Sequence, residues 1–339
     1  MIGTTNGRPI SITGLGSYVP DRVLTNDELS RLVDTSDEWI LERTGIRERR
    51  IAAPEQALSD LCLPAAREAL EQAGVGSADV DLIIVATVTP DMFFPSTGAI
   101  IADELGAREA AAYDLSAGCT GFMYGLAQAH GMVSAGLSSC ALVIGGDVLS
   151  KIMNWHDRST CVLFGDGAGA VVVEPVQDEG FFGFELGADG SGGVHLNMPA
   201  GGSRLPATAE TVASEQHFIF MNGREVFKFA TRVLVSSAEK LLEECNATMG
   251  EVEVYVPHQA NVRIIDHAAK KLGVPAERVV VNVDRFGNTS SGSIPMALAD
   301  AVADGRLEEG KLLLMTGMGA GLTWGSALMR WTANGAGKA

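Results

Sequence analysis

The chain has 339 residues, 46% of them hydrophobic and 20% charged, enough apolar material to offset the ordering entropy of folding and enough length for two domains. Its 42 acidic and 25 basic residues leave a formal charge of −17, which repels a phosphate backbone, so no nucleic-acid partner is expected. No apolar run is long enough to span a bilayer, and Met1 to Pro9 lacks a charged-then-apolar leader, so the expectation is a cytoplasmic protein without membrane contact.

In chain order, a helical pattern at 63–73 precedes an apolar run at 82–86 that reads as a buried strand. Strand-like runs follow at 110–115, 141–145, 168–173, 254–257, 279–283, 312–315 and 326–331, with helical patterns at 122–135, 233–245 and 294–303. Buried strands alternating with helices predict an α/β fold. The glycine-rich segments Gly165-Asp166-Gly167-Ala168-Gly169 and Met315 to Gly325 are not dinucleotide fingerprints, because each runs into a strand pattern and not a helix.

Two parts of the pattern recur. Ala69-Leu70 and 80–84 match Leu241-Leu242 and 252–256 at a separation of 172 (positions 80 and 252), and 142–144 with Gly146 matches 313–315 with Gly317 at 171 (positions 142 and 313). A period of half the chain predicts two homologous halves, 1–176 and 177–339, dividing near 174–179. In the 171 register Cys119 falls on Ser290, thiol against hydroxyl, which makes the junction of the halves the expected seat of chemistry.

The five cysteines, at 62, 119, 140, 161 and 245, are odd in number and widely spaced, and the six histidines show no ligand spacing, so neither disulfides nor a metal is expected. Cys119 stands between a strand and a helix, where the helix N-terminus favours thiolate; a packing cysteine is the alternative. His258 ends an apolar strand and fits either a cleft base or donor or a structural group. Asn288 lies in the turn-rich Gly287-Asn288-Thr289-Ser290, which turn chemistry alone would also explain.

In combination these segments closely resemble the 3-oxoacyl-[acyl-carrier-protein] synthase III family. The likeness is carried by Asp34-Thr35-Ser36-Asp37-Glu38-Trp39-Ile40, Arg43-Thr44-Gly45-Ile46-Arg47-Glu48-Arg49, Ser116-Ala117-Gly118-Cys119-Thr120-Gly121, Phe164 to Ala170, Val256-Pro257-His258-Gln259-Ala260-Asn261, Gly287 to Ser290 and Gly321-Leu322-Thr323-Trp324-Gly325. The resemblance implies a thiolase-like, five-layer α-β-α-β-α fold and a Cys119–His258–Asn288 triad. It implies oxyanion donors on the backbone N–H groups of Cys119 and Ala320, and coenzyme A contacts at Trp39, Arg43, Thr44, Arg158, Gly223 and Asn261. Carrier-protein contacts are implied at Gln259, Ala260, Asn261, Val262 and Arg263, and an acyl pocket at Phe164 with Phe94 of the neighbouring subunit of a homodimer. If the segment after His258 is helical, Arg263, His267, Lys270 and Lys271 share one face as a cationic stripe for the carrier protein, with ordinary solvated surface charge as the alternative.

The activity so implied is decarboxylative condensation of an acyl-CoA with a malonyl-carrier protein, with no cofactor beyond those substrates. A starter-unit condensing enzyme or acyltransferase of a polyketide pathway, a Cys–His thioester hydrolase and a non-catalytic assembly subunit are the alternatives. Two departures from the family pattern are Gly118, where many members have Ala, and Ala320 within the glycine run. Both residues are small, so activity is expected to survive them.

Overall fold

The computed structural model describes residues 8–177 and 179–332. The leader reading of Met1 to Pro9 thus falls mostly outside the described residues, as do the outer ends of the two halves.

Five strands, β1 (Ile10–Tyr18), β2 (Leu82–Ala86), β3 (Ala111–Leu115), β4 (Ala141–Val148) and β5 (Asp166–Pro175), form one sheet in the order β1-β5-β4-β2-β3. Four more, β6 (Phe181–Ala188), β7 (Val254–Pro257), β8 (Leu312–Gly319) and β9 (Thr323–Arg330), form a second in the order β6-β9-β8-β7. The directions repeat as well. In each sheet the first two pairings are antiparallel, and the third, β4 with β2 or β8 with β7, is parallel.

Helices fill the space between and outside the sheets. α1 (Asp37–Thr44) lies early in the chain, and α2 (Leu58–Ala73) packs its Leu61, Ala65 and Ala69 stripe on the outer face of the first sheet. α3 (Gly121–Ser134) and α6 (Ser293–Ala303) lie between the sheets, burying Phe122, Leu126, Ile294 and Leu298 in one cluster with strands of both. α4 (Gly223–Glu244) and α5 (Val262–Leu272) cover the outer face of the second sheet. The layers run α-β-α-β-α, as expected. Covered on both faces, β2 is wholly buried and reads as an unbroken apolar run.

The direction in which side chains point fixes the register of the repeat. Leu82 and Ile84 of β2, Ala141 and Val143 of β4, Val254 and Val256 of β7, and Leu313 and Met315 of β8 all face the central cluster, whereas Leu142 faces α2. Both strand pairs are therefore related by 172 positions (82 to 254, 141 to 313). The 171 register for the second pair is corrected, because a slip of one residue puts every side chain on the opposite face. At 172 the starts of α3 and α6 coincide, as do two left-handed residues, Gly118 at φ 57° and Ser290 at φ 52°. The counterpart of Cys119 is then Ser291.

The strand expected at 279–283 does not form. Val279 makes one bridge to Tyr255, and then the Gln259 side-chain oxygen accepts the N–H groups of Asn282 and Val283 at 2.9 and 3.3 Å, turning the backbone into the helical turn Val283–Phe286. The proposed division of the halves at 176/177 falls between β5 and β6. Among the described residues no helix is long and apolar enough to cross a membrane.

Candidate active site

Cys119 sits in the loop between β3 and α3. Gly118, left-handed at φ 57°, turns the chain, and a Cβ there would lie 2.6 Å from the Ala320 nitrogen, so the two loops meet backbone to backbone. Thr120 Oγ1 and Thr323 Oγ1, 2.5 Å apart, tie them together. The sulfur faces the backbone N–H groups of Cys119 and Ala320 and the Ser290 hydroxyl. Burial pushes the thiol up to about 11; the Ser290 hydroxyl opposes the shift, the Asp147 carboxylate adds to it, and the two N–H groups oppose it. The thiolate expected from the helix terminus is thus not the resting form, because loss of water around the sulfur outweighs the neighbouring donors.

His258 follows β7, and its N–H donates to Thr316 O at 2.7 Å. The ring is buried, which lowers it from 6.5 to about 4 and keeps it neutral near pH 7. Nδ1 lies 2.6 Å from Ser293 Oγ, and Nε2 has no hydrogen-bond partner among the described residues.

The Asn288 side-chain oxygen accepts the Ser290 N–H at 2.8 Å, so its NH₂ group remains as donor. Its main chain is held by Leu163 O, which accepts its N–H at 2.8 Å, and by the Gly165 N–H, which donates to its carbonyl at 3.0 Å. The turn-rich segment is therefore more than a turn.

Cys119, His258 and Asn288 line one cavity of about 350 Å³, together with Trp39, Arg43, Thr44, Arg158, Phe164, Gly223 and Asn261. The guanidinium groups of Arg158 and Arg43 lie 4.9 and 5.8 Å from the Trp39 ring centroid, forming a flat cationic wall. Asn261 caps α5 by accepting the Arg263 N–H at 2.9 Å, and it donates to Arg43 O at 3.0 Å. Beyond the sulfur a second cavity of about 150 Å³ is walled by Val88, Leu149, Ile152, Phe164 and Ile219. Four of these walls, all but Phe164, come from segments in which nothing in the sequence separates a pocket wall from core.

Arg263, His267, Lys270 and Lys271 are exposed on α5, with the exposed acid Asp266 among them. Gln259 and Ala260 are corrected as carrier-protein contacts. Gln259 is fully buried, its amide donating to Pro257 O and Val280 O, and Ala260 is buried, lining the cavity and not the outer surface. Val262 packs against Gly45. Phe94 joins neither cavity and stands 84% exposed beside Phe93 at 83%. Ser290 entered the sequence reading only as the position opposite Cys119, and Ser293 was missed; its one signal is the hydroxyl-rich segment Thr289-Ser290-Ser291-Gly292-Ser293.

Family models and curated relatives agree on one family. Residues 113–190 match the model of 3-oxoacyl-[acyl-carrier-protein (ACP)] synthase III, and 242–331 match that of its C-terminal region. The chain is 58% identical to the beta-ketoacyl-[acyl-carrier-protein] synthase III of Symbiobacterium thermophilum, over 96% of this chain and 98% of the relative. Among solved structures, 3-oxoacyl-[acyl-carrier-protein] synthase III from Aquifex aeolicus aligns at TM-score 0.88 with 44% identity, covering 95% of this chain and 100% of that one. A priming beta-ketosynthase from a polyketide biosynthetic pathway aligns at TM-score 0.90 with 38% identity, each chain covered to 98%. On full-length identity, on fold and on the matched segments around Cys119, His258 and Asn288, the chain belongs to the 3-oxoacyl-[acyl-carrier-protein] synthase III family.

Proposed function

We propose that this protein condenses an acyl-CoA primer with a malonyl-carrier protein to give a 3-oxoacyl-carrier protein, coenzyme A and CO₂, the step that initiates fatty-acid synthesis. The observation that carries this reading is the meeting of a thiol, a neutral imidazole and a carboxamide in one cavity with a cationic mouth. The Arg43–Trp39–Arg158 wall suits the phosphates and flat base of coenzyme A, with Thr44, Gly223 and Asn261 along the path to the sulfur.

Cys119 attacks the thioester carbonyl, its S–C bond forms, and coenzyme A leaves with the thiol proton. The oxyanion is met by the N–H groups of Cys119 and Ala320, and the acyl chain enters the apolar cavity that Phe164 helps to wall. Malonyl-carrier protein then replaces coenzyme A. Loss of CO₂ leaves the bonding pair on the α-carbon, and the thioester oxygen of the resulting enolate takes hydrogen bonds from His258 Nε2 and the Asn288 NH₂. That carbon attacks the acyl-Cys119 carbonyl and expels the sulfur as thiolate, which takes one proton from solvent to restore the resting thiol. The carrier protein is acidic by family likeness, and Asn261 to Arg263 with Lys270 forms its docking rim. Lys271 joins them more weakly, because it borders a hollow shared with Glu239 and Glu243.

A polyketide starter-unit enzyme would use the same groups, and the 38% likeness to such a protein favours it less than the 58% relative favours fatty-acid synthesis. The test is product analysis with acetyl-CoA and malonyl-carrier protein. The reading expects 3-oxobutyryl-carrier protein from the native enzyme and none from Cys119→Ala; no product across short straight, branched and medium primers would refute it.

A further inference from the structure

We propose that Ser293 fixes the tautomer of His258, and is the positioning residue that makes this histidine a donor toward the cavity. His258 Nδ1 lies 2.6 Å from Ser293 Oγ, and the Gln259 backbone N–H reaches the same oxygen at 3.3 Å. That N–H occupies a lone pair of the hydroxyl. The hydroxyl keeps its own hydrogen to give, and Nδ1 is the acceptor beside it. A bare Nδ1 places the proton of the neutral ring on Nε2.

The other tautomer fails on the same geometry. It would aim two N–H donors at Ser293 Oγ, strand the serine hydrogen in a fully buried site, and turn a bare Nε2 to the cavity. Ser293 is held in place as the first residue of α6, whose packing between the sheets leaves it little freedom. Nε2 is buried, belongs to a residue that lines the cavity, and has no partner among the described residues, so its hydrogen is available to a substrate oxygen.

The kinetic consequence rests on the condensing reading above, whereas the tautomer itself does not. The full-length enzyme is compared with Ser293→Ala and Ser293→Thr, the latter keeping a hydroxyl at the same atom. Nitrogen-15 NMR of histidine-labelled protein, with His258 assigned by its loss in His258→Ala, is expected to show the proton on Nε2 in the native and Thr proteins and a shifted balance in the Ala variant. Malonyl-carrier protein decarboxylation should fall roughly tenfold to a hundredfold in Ser293→Ala, Cys119 acylation should change less than about twofold, and Ser293→Thr should recover most of the loss. A native ring protonated on Nδ1, undiminished decarboxylation in Ser293→Ala, or equal loss in both half-reactions overturns the assignment. A native enzyme that makes no condensation product overturns the functional reading instead, and the spectrum still decides the tautomer.

Discussion

The chemistry at Cys119 and His258 is governed by dehydration. With the thiol near 11, its thiolate fraction rises about tenfold per pH unit across the neutral range. Alkylation of Cys119 by iodoacetamide, followed by mass spectrometry, should rise accordingly from pH 7 to pH 9 with no plateau; a plateau below about pH 8 would show a stabilised resting thiolate. For His258, the folded protein holds the ring near 4 against 6.5 for a free histidine, so between those values the unfolded chain binds more protons. Stability contributed by the neutral ring is therefore full above 6.5 and lost as pH falls toward 4, about 3 kcal/mol in all. Denaturant titrations should show a steeper acid limb for the native protein than for His258→Gln. The same substitution should spare Cys119 acylation while lowering decarboxylation ~10²–10³-fold, as loss of an oxyanion donor does.

At the scale of elements, the two loops proposed to supply the oxyanion donors share one tight contact. Gly118 and Ala320, separate departures from the family pattern in sequence, are in contact here, since a Cβ on residue 118 would lie 2.6 Å from the Ala320 nitrogen and 3.1 Å from its Cα. Gly118→Ala should therefore slow acylation and cost about 1–3 kcal/mol of stability. Adding Ala320→Gly, which frees that backbone to shift, should recover part of both; a double-mutant cycle without coupling would separate the two positions. On α5, Arg263→Glu should raise the Michaelis constant for malonyl-carrier protein about tenfold, and the native constant should rise with salt. The elements themselves were legible in sequence: strand runs, helix periods and the half-chain repeat follow from burial. The register of β4 against β8 was not, because every residue of both strands is buried and their pattern carries no facing. Nor was the missing strand at 279–283, where a side-chain amide, not hydropathy, ends the pairing.

The whole molecule brings its site together from both halves. Cys119 comes from the first and His258 and Asn288 from the second, and Ser291 Oγ lies 2.6 Å from Ala86 O across the junction. The cysteine and histidine segments were legible because strand ends and helix starts mark them; Ser293, beside His258 Nδ1, was hidden in a hydroxyl-rich segment that also reads as a turn. Phe93 and Phe94, more than four-fifths exposed, are costly to leave in water, and the family likeness assigns Phe94 to a neighbouring subunit's acyl pocket. Sedimentation analysis should find a dimer, with Phe94→Asp weakening association and shifting primer preference; a stable monomer of full activity would refute that arrangement. The most direct test of the whole account is intact-mass spectrometry of the enzyme mixed with an acyl-CoA and then chased with malonyl-carrier protein. The account predicts one acyl mass on Cys119 that disappears during the chase as 3-oxoacyl-carrier protein forms. An unmodified cysteine during turnover, or an acyl group that the chase leaves in place, would contradict it.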